Sequence, residues 1–326
     1  MAKRSFWAWG MEKDEPTLEQ RREKAAALSA QYGVAVEATP VPKIADLNLR
    51  KPRISAPPSI SAYCSTDTHE RAVHSYGRSF TDRIKAFNLQ FPNPPDVVAF
   101  PRNEHEVERV MHWCWGEGYA VIPYGGGTSV AGHINPPAGE RPVLTLSLAR
   151  MDRLLNLNQE SQLATFGAGT PGPALERQLG EHGYRLGHYP QSWELSTVGG
   201  WVASRSSGQQ SMRYGRIEQL FAGGLLETPD GPLRLPTVPA SSAGPDLRGM
   251  VMGSEGRLGV ITEVDVRISR LPAVEQFHVA FAPHWPAAVA LVRRMVQERV
   301  PVSMLRLSNP QETVTQLTLA GHGLAV

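Results

Sequence analysis

The sequence is poor in cysteine, nearly neutral in charge and free of long apolar runs. Cys64 and Cys114 are the only cysteines among its 326 residues, and they lack the spacing of metal ligands. This usage favours a reducing compartment over a disulfide framework. The net charge of +2 gives no reason to expect a nucleic-acid partner. Neither a secretory signal nor a membrane span of roughly 18 apolar residues is visible, so we expect a cytoplasmic protein without a transmembrane segment.

Familiar site motifs are missing as well. No lysine follows a glycine as a GxxxxGK[ST] phosphate loop requires, and no serine lies in a GxSxG hydrolase motif. Four histidines lack the spacing and carboxylate partners of a zinc site: His69, His74, His105 and His112. We therefore expect no metal.

The most informative segment that is present is the loop Pro123-Tyr124-Gly125-Gly126-Gly127-Thr128-Ser129. It follows a short apolar run, Tyr119–Ile122, that predicts a strand. Consecutive glycines let backbone N–H groups converge on an anion, and two hydroxyl groups follow. The GxGxxG spacing of a Rossmann fingerprint is absent from this loop. Taken alone, the loop fits a glycine-rich turn as well as a pyrophosphate site.

The surrounding chain predicts mixed α and β structure. A capping box at Thr17 begins a helix that Gly33 ends, within a charged and proline-rich segment of residues 1–90. A strand at Asp96–Phe100, a helix capped by Asn103 and the strand before the glycine loop form a strand–helix–strand unit. Further predicted elements are strands at Val143–Leu148 and Thr262–Ile268, with an unassigned segment Gln162–Ala168 between them, and helices at Pro173–Gly183 and Pro286–Val300. Short strands with many glycine turns indicate an α+β or α/β fold.

Four later segments share the glycine and hydroxyl character of the first loop. They are Gly187–Ser192, Ser196–Trp201, Ser204–Gly208 and Gly253–Thr262. One extended ligand with phosphates, a ribose and a ring system would account for their spread along the chain.

The ordered set of motifs resembles the FAD-binding half of the flavoproteins related to vanillyl-alcohol oxidase, whose FAD domain is of the PCMH type. Within that group it resembles the alkyldihydroxyacetonephosphate synthase family of ether-lipid biosynthesis. The resemblance rests on PxGGGTS at Pro123–Ser129, GHxPxSxExSTVGGW at Gly187–Trp201, the run Arg205–Gly208, GPD at Gly244–Asp246, MGSEGxLGVIT at Met252–Thr262 and Trp-Ala-Trp-Gly at Trp7–Gly10. It covers nearly the whole chain.

The resemblance implies FAD as the cofactor. Relatives with covalent flavin carry a histidine in the first loop, where Thr128 stands here, so non-covalent binding is expected. Gln191 stands where the family usually has aspartate. Because a carboxamide can still accept and donate hydrogen bonds, this difference weakens the expected contact only slightly. The expected FAD contacts are Pro123, Tyr124, Gly125, Gly126, Gly127, Thr128, Ser129, Gln191, Ser192, Trp193, Glu194, Leu195, Ser196, Thr197, Gly199, Gly200, Ser204, Arg205, Ser206, Ser207, Glu255, Gly256, Arg257, Leu258, Gly259, Val260 and Ile261.

Two residues match positions that the family uses for chemistry. His188 corresponds to a histidine needed near the flavin, and histidine exchanges protons near neutrality. The alternative is a histidine that only forms a hydrogen bond beneath the ring. Arg306 corresponds to an arginine near the active site that stabilises negative charge; its alternative is a surface ion pair.

The resemblance also implies a domain plan and an activity. Residues 91–270 would form a PCMH-type FAD domain of two α+β subdomains, and residues 271–326 the start of an incomplete substrate-binding cap domain. The implied reaction exchanges the acyl group of acyl-dihydroxyacetone phosphate for a fatty alcohol, with weak or absent turnover in this chain alone.

Two alternatives remain: an FAD-linked dehydrogenase or oxidase of 2-hydroxy acids such as D-lactate or glycolate, and a non-catalytic FAD-binding fragment or subunit. A homodimer, or a partner chain that supplies the cap, stays open. The C-terminal Leu324-Ala325-Val326 is not a peroxisomal signal.

Overall fold

The computed structural model describes residues 3–319, so the terminal tripeptide discussed above lies outside the described residues. The strands are β1 Cys64–Ser65, β2 Val97–Ala99, β3 Ala120–Tyr124, β4 Val143–Ser147, β5 Leu154–Asn158, β6 Leu163–Gly167, β7 Tyr184–Arg185, β8 Phe221–Thr228, β9 Gly231–Leu235, β10 Val260–Arg267 and β11 Ser269–Arg270. The helices are α1 Leu18–Tyr32, α2 Thr68–Val73, α3 Phe80–Phe87, α4 Glu104–Gly116, α5 Gly172–Gly180, α6 Val198–Ser204, α7 Ser211–Tyr214, α8 Ile217–Leu220, α9 Arg248–Val251, α10 Trp285–Gln297 and α11 Pro310–Leu319. Short 3₁₀ turns lie at Glu12–Asp14, Ile44–Asp46 and Ser61–Tyr63.

The first sheet has four strands in the order β1-β2-β4-β3. Strands β2 and β3 both run parallel to β4, which lies between them. Helix α4 connects β2 to β3, and its cap is the predicted one, because the Asn103 side chain accepts a hydrogen bond from the amide of Glu106. The predicted strand–helix–strand unit is confirmed. It places the glycine loop directly after the carboxyl end of β3.

The second sheet has five antiparallel strands in the order β5-β6-β10-β8-β9. Strand β10 begins at Val260, two residues before the sequence predicts, so Val260 and Ile261 belong to a strand and not to a loop. Helices α5 and α10 also differ slightly from prediction, since α5 ends at Gly180 and α10 at Gln297. A third, two-stranded sheet pairs β7 with β11. Three sheets with helices around them confirm the α+β class.

One continuous hydrophobic core joins the two larger sheets. It contains Leu144 and Leu146 from β4, Phe166 from β6 and Val264 from β10. Trp201 of α6 packs into the same core and is only 2% exposed. The core therefore fixes α6 relative to both sheets, and the ends of β3, β10 and α6 meet at one place.

The N-terminal segment forms a second, smaller core. Phe6 packs with Tyr76 and Phe91, beside helices α2 and α3. By contrast, no residue of α10 is buried, and Phe277 and Phe281 in the preceding stretch are exposed. The division at residues 90 and 270 stays a prediction.

Candidate cofactor site

A cavity of about 360 Å³ lies where the glycine loop after β3, the start of α6 and the loop before β10 converge. Its volume lies within the usual range for small-molecule and cofactor sites. Its lining residues are Pro123, Tyr124, Gly125, Gly126, Gly127, Thr128, Ser129, Val130, Ala131, His133, Ile134, Leu148, Ser192, Ser196, Thr197, Gly199, Gly200, Trp201, Ala203, Ser204, Ser206, Glu255, Gly256, Gly259 and Ile261. The whole first loop lines this cavity together with residues that lie more than a hundred positions later.

The glycines of the first loop allow two loops to touch. A Cβ at Gly126 would overlap the carbonyl oxygen of Leu195, so only glycine permits this approach. Gly127 has φ +64, and a Cβ there would overlap the hydroxyl group of Tyr124. That hydroxyl donates a hydrogen bond of 3.0 Å to the carbonyl of Val73, which holds the tyrosine beneath the loop.

The amides of the first loop suit an anion. Among the described residues, none of the backbone N–H groups of residues 125–129 donates a hydrogen bond to the protein. Because Gly126 and Gly127 are buried, these donors need an acceptor from outside the chain. Thr128 and Ser129, which carry hydroxyl groups, line the same cavity. Amide donors without a protein acceptor, on a loop that lines a cavity, fit a pyrophosphate group.

The helix α6 brings a second group of residues to the cavity. The side chain of Thr197 accepts a hydrogen bond of 3.3 Å from the amide of Gly200 and so caps the helix. The amides of Val198 and Gly199 are engaged by Thr170 and Ala168. The start of α6 therefore supplies wall and hydroxyl groups, while the first loop supplies the unengaged amides.

His188 lies behind the cavity wall. It is fully buried, and its Nε2 is joined to the hydroxyl group of Ser206 by a hydrogen bond of 2.7 Å. Burial lowers the pKa of His188 to about 4, so the ring is neutral at pH 7. Nδ1 has no partner among the described residues. His188 contacts the cavity through Ser206, and its catalytic role stays a prediction.

Arg205 supports the cavity from outside. It has φ +50 and ends α6, and its guanidinium donates to the carbonyl groups of Met252 and Gly249 at 2.9 and 2.8 Å. Arg205 thus fixes the loop that precedes β10. Trp193 likewise packs away from the cavity, against Gly172 and the ring of Tyr189.

Several expected cofactor contacts do not line the cavity. They are Gln191, Trp193, Glu194, Leu195, Arg205, Ser207, Arg257, Leu258 and Val260. The reason is local geometry: Leu195 touches the glycine loop through its main chain, and Val260 is buried in β10. A sequence motif covers a whole segment, whereas only some residues of that segment face the cavity.

Arg306 is not brought to the cavity. Its guanidinium donates a hydrogen bond of 2.6 Å to Glu312, and its side chain is 57% exposed. This is the arrangement of a surface ion pair. Its role near a flavin stays a prediction.

Seven lining residues were not predicted from the sequence: Val130, Ala131, His133, Ile134, Leu148, Trp201 and Ala203. Among them, His133 joins two walls, since its Nδ1 lies 3.1 Å from Ser129 Oγ and 3.5 Å from Glu255 Oε1. The position of His133 shortly after the glycine loop was the available signal. Ile134, Leu148 and Trp201 supply apolar wall.

Comparison with known proteins identifies the cofactor. Residues 95–234 match the family model described as "FAD binding domain". The chain is 35% identical over 254 residues to alkyldihydroxyacetonephosphate synthase of Dictyostelium discoideum. The chain contains an FAD-binding domain of the PCMH type. FAD is its cofactor, as the sequence predicts.

This FAD-binding chain is a homologue of the alkyldihydroxyacetonephosphate synthases in structure as well as sequence. A solved structure of that synthase superposes with a TM-score of 0.80 at 30% identity and covers 90% of the chain. A mitochondrial D-lactate dehydrogenase of Arabidopsis thaliana is 33% identical over 210 residues. The synthase match is the longer of the two, at 78% of the chain against 64%.

The FAD-binding chain spans about two fifths of the length of the curated synthases it matches. It covers 41% of the Dictyostelium synthase and 56% of the solved synthase chain. Within residues 3–319, no helix is long and apolar enough to cross a membrane. The same residues contain no cluster of three His, Cys, Asp or Glu side chains that could hold a metal ion.

Proposed function

We propose that this flavoprotein is of the alkylglycerone-phosphate synthase type and acts in ether-lipid synthesis. The reaction would replace the acyl group of acyl-dihydroxyacetone phosphate with a fatty alcohol, with no net redox change. The proposal is supported chiefly by the synthase likeness, which extends over 78% of the chain in sequence. The cavity supports its cofactor half.

Residues of the cavity would hold FAD in a defined order. The unengaged amides and the hydroxyl groups of Thr128 and Ser129 would take the pyrophosphate. The apolar wall of Ile134, Leu148 and Trp201 would pack against ring systems. When bound, FAD supplies an electron-accepting isoalloxazine ring.

His188 and Ser206 would act as one hydrogen-bonding unit at the cavity wall. Burial keeps the imidazole of His188 neutral. Its Nε2 can therefore either accept a hydrogen bond from the Ser206 hydroxyl group or donate one to it, depending on the tautomer. We propose that this pair positions a proton beside the cofactor. Arg306 would contribute charge stabilisation only if a change in conformation took it from Glu312.

The reaction test uses purified protein loaded with FAD. It is incubated with acyl-dihydroxyacetone phosphate and an isotopically labelled fatty alcohol, and label in the ether product is measured by mass spectrometry. Labelled product that depends on FAD supports the proposal. Since the chain covers 41% of the Dictyostelium synthase, we expect weak or absent turnover by the 326-residue polypeptide alone. Addition of a polypeptide carrying the remainder of a synthase should then restore turnover.

A 2-hydroxy-acid dehydrogenase is the second candidate, favoured by the likeness to D-lactate dehydrogenase. If the protein reduces a dye acceptor with D-lactate or glycolate and forms no ether product, the dehydrogenase proposal replaces the synthase proposal. A third candidate is a non-catalytic FAD-binding subunit. Flavin that stays bound while both assays remain silent, with and without the added polypeptide, would favour it.

Assembly and location belong to the same proposal. The protein would form either a homodimer or a complex with a partner chain that supplies the cap domain. Light scattering coupled to gel filtration distinguishes these states. The sparse cysteines continue to predict a reducing compartment, for which we propose the cytoplasm.

A further inference from the structure

The N-terminal segment reaches the cofactor loop directly. Arg4 Nη2 donates a hydrogen bond of 2.6 Å to the carbonyl oxygen of Gly126, across 122 positions of sequence. The matched FAD-binding family model begins only at residue 95. A residue far outside that model therefore touches the loop whose amides suit the pyrophosphate.

The peptide between Gly126 and Gly127 links this contact to the cavity. In a planar trans peptide, the C=O and N–H groups point in opposite directions. When Arg4 holds the carbonyl of Gly126, the N–H of Gly127 must point away from Arg4. Gly127 lines the cavity and Arg4 does not. A cationic donor on the carbonyl also makes this hydrogen bond stronger than a neutral one.

Arg4 is itself fixed by several contacts. Its carbonyl accepts a hydrogen bond of 2.9 Å from His69, and the neighbouring Ser5 carbonyl accepts one of 3.2 Å from Arg78. Phe6 and Trp7 anchor the segment through Phe91 and Phe87. The backbone of Arg78 also donates a hydrogen bond of 2.7 Å to the carbonyl of Ser129, at the far end of the glycine loop. The middle of the loop, at Gly126, and its far end, at Ser129, are thus both held by residues that precede the family model.

We propose that Arg4 is a positioning residue for FAD: its guanidinium fixes the Gly126–Gly127 peptide so that the Gly127 amide is available to the pyrophosphate. Residues 3–12 then form part of the cofactor site and not a separate appendage. The inference rests on FAD binding at this cavity, which titration of the unchanged protein tests separately.

The test compares three variants by titrating apoprotein with FAD and following flavin fluorescence. Arg4→Met removes every donor, Arg4→Lys keeps one cationic donor, and Lys3→Met removes a neighbouring exposed charge as the matched control. Arg4→Met should raise the Kd for FAD about ten- to a hundredfold, the effect of losing one charge-assisted hydrogen bond. Arg4→Lys should recover part of the affinity, and Lys3→Met should match the unchanged protein.

Melting of each apoprotein separates positioning from folding, and Arg4→Met should melt close to the unchanged protein. If that variant does not fold, Arg4→Gln, which has a shorter polar side chain, takes its place. An unchanged Kd in the Arg4 variant, an equal loss in Lys3→Met, or no recovery in Arg4→Lys would each overturn the proposal.

Discussion

The hydroxyl group of Tyr124 occupies the space that a side chain at Gly127 would need. The residue that ends β3 thus folds back beneath the loop that follows it. Its hydrogen bond to Val73 keeps it there, and the ring of His74 packs against it at 4.4 Å between centroids. The conformation of the loop is therefore determined by the packing of Tyr124 against it as well as by its own glycines.

Gly127→Ala should weaken FAD binding by at least about tenfold, because a left-handed backbone and an overlap with Tyr124 act together. Gly33→Ala is the matched control, since Gly33 has φ +66 with no atom near its missing Cβ. It should cost some stability and leave the Kd for FAD unchanged. Equal Kd values for Gly127→Ala and the unchanged protein would refute this view of the loop.

His188 should make stability depend on pH. Its pKa is lowered to about 4 by burial, so between about pH 6.5 and pH 4 the unfolded chain binds a proton that the folded chain refuses. The free energy of unfolding therefore falls by up to about 3 kcal/mol as the pH drops through this window, and above the window this stability is fully present. Urea unfolding of apoprotein measures this fall.

His188→Gln should show a smaller fall, while the exposed control His105→Gln should fall like the unchanged protein. His74, whose pKa is also lowered to about 4 by burial, leaves a residual dependence in every variant. Identical pH profiles for His188→Gln and the unchanged protein would show that His188 is not held neutral by the fold.

Asp96 should be an important anchor of the proline-rich stretch Pro40–Pro58, called the crossing below. Its buried carboxylate pairs with Arg50 at 2.5 Å and Arg53 at 2.8 Å, and it accepts a hydrogen bond from the amide of Val143. Burial alone would raise the pKa of Asp96, but the hydrogen bonds from Arg53 and Arg50 hold it well below its usual value.

Asp96→Asn should lower the free energy of unfolding by about 3 kcal/mol, because it leaves two guanidinium groups without their carboxylate. Urea unfolding at pH 7 provides the measurement. Asp246→Asn is the control, since the Asp246 carboxylate is mostly exposed and pairs with Arg248. A loss no greater than that of the control would mean that the crossing is held by other contacts.

Local signals predicted the elements that present the site. The cap at Asn103 and the glycine loop after β3 are determined by neighbouring residues, and the structure has both. Strand β8 escaped prediction because Gly223 and Gly224 resemble a turn. In the sheet they permit close approach, since a Cβ at Gly224 would overlap the carbonyl of Glu263.

Contacts between distant residues were not predictable from pattern. The hydrogen bond between Arg4 and Gly126 depends on how the N-terminal segment packs, which no local motif encodes. Motifs can also mislead: Gly167–Gly172 has the GxGxxG spacing, yet it joins β6 to α5 and does not line the cavity. Spacing describes a backbone that could bind phosphate, whereas binding also requires unengaged amides at a cavity.

FAD should be released when the protein is denatured. Thr128 lines the cavity where covalent relatives are expected to carry histidine, and a threonine side chain does not form that bond. Acid precipitation followed by chromatography of the supernatant should recover the flavin as intact FAD. His133 is the histidine among the lining residues, so His133→Ala serves as the control and should release FAD equally. Flavin that remains on the polypeptide, and is lost in His133→Ala, would contradict non-covalent binding.

Arg306→Ala should leave FAD affinity unchanged. Arg306 lies on the segment between α10 and α11, its guanidinium pairs with Glu312 of α11, and it does not line the cavity. Ser206→Ala is the informative comparison, because it removes the hydroxyl group that joins His188 to the cavity wall. Titration of both apoproteins with FAD should show a weaker Kd for Ser206→Ala only. If Arg306→Ala were the weaker binder, Arg306 would have to leave Glu312 in the FAD-bound protein, and the sequence-based prediction for this residue would hold.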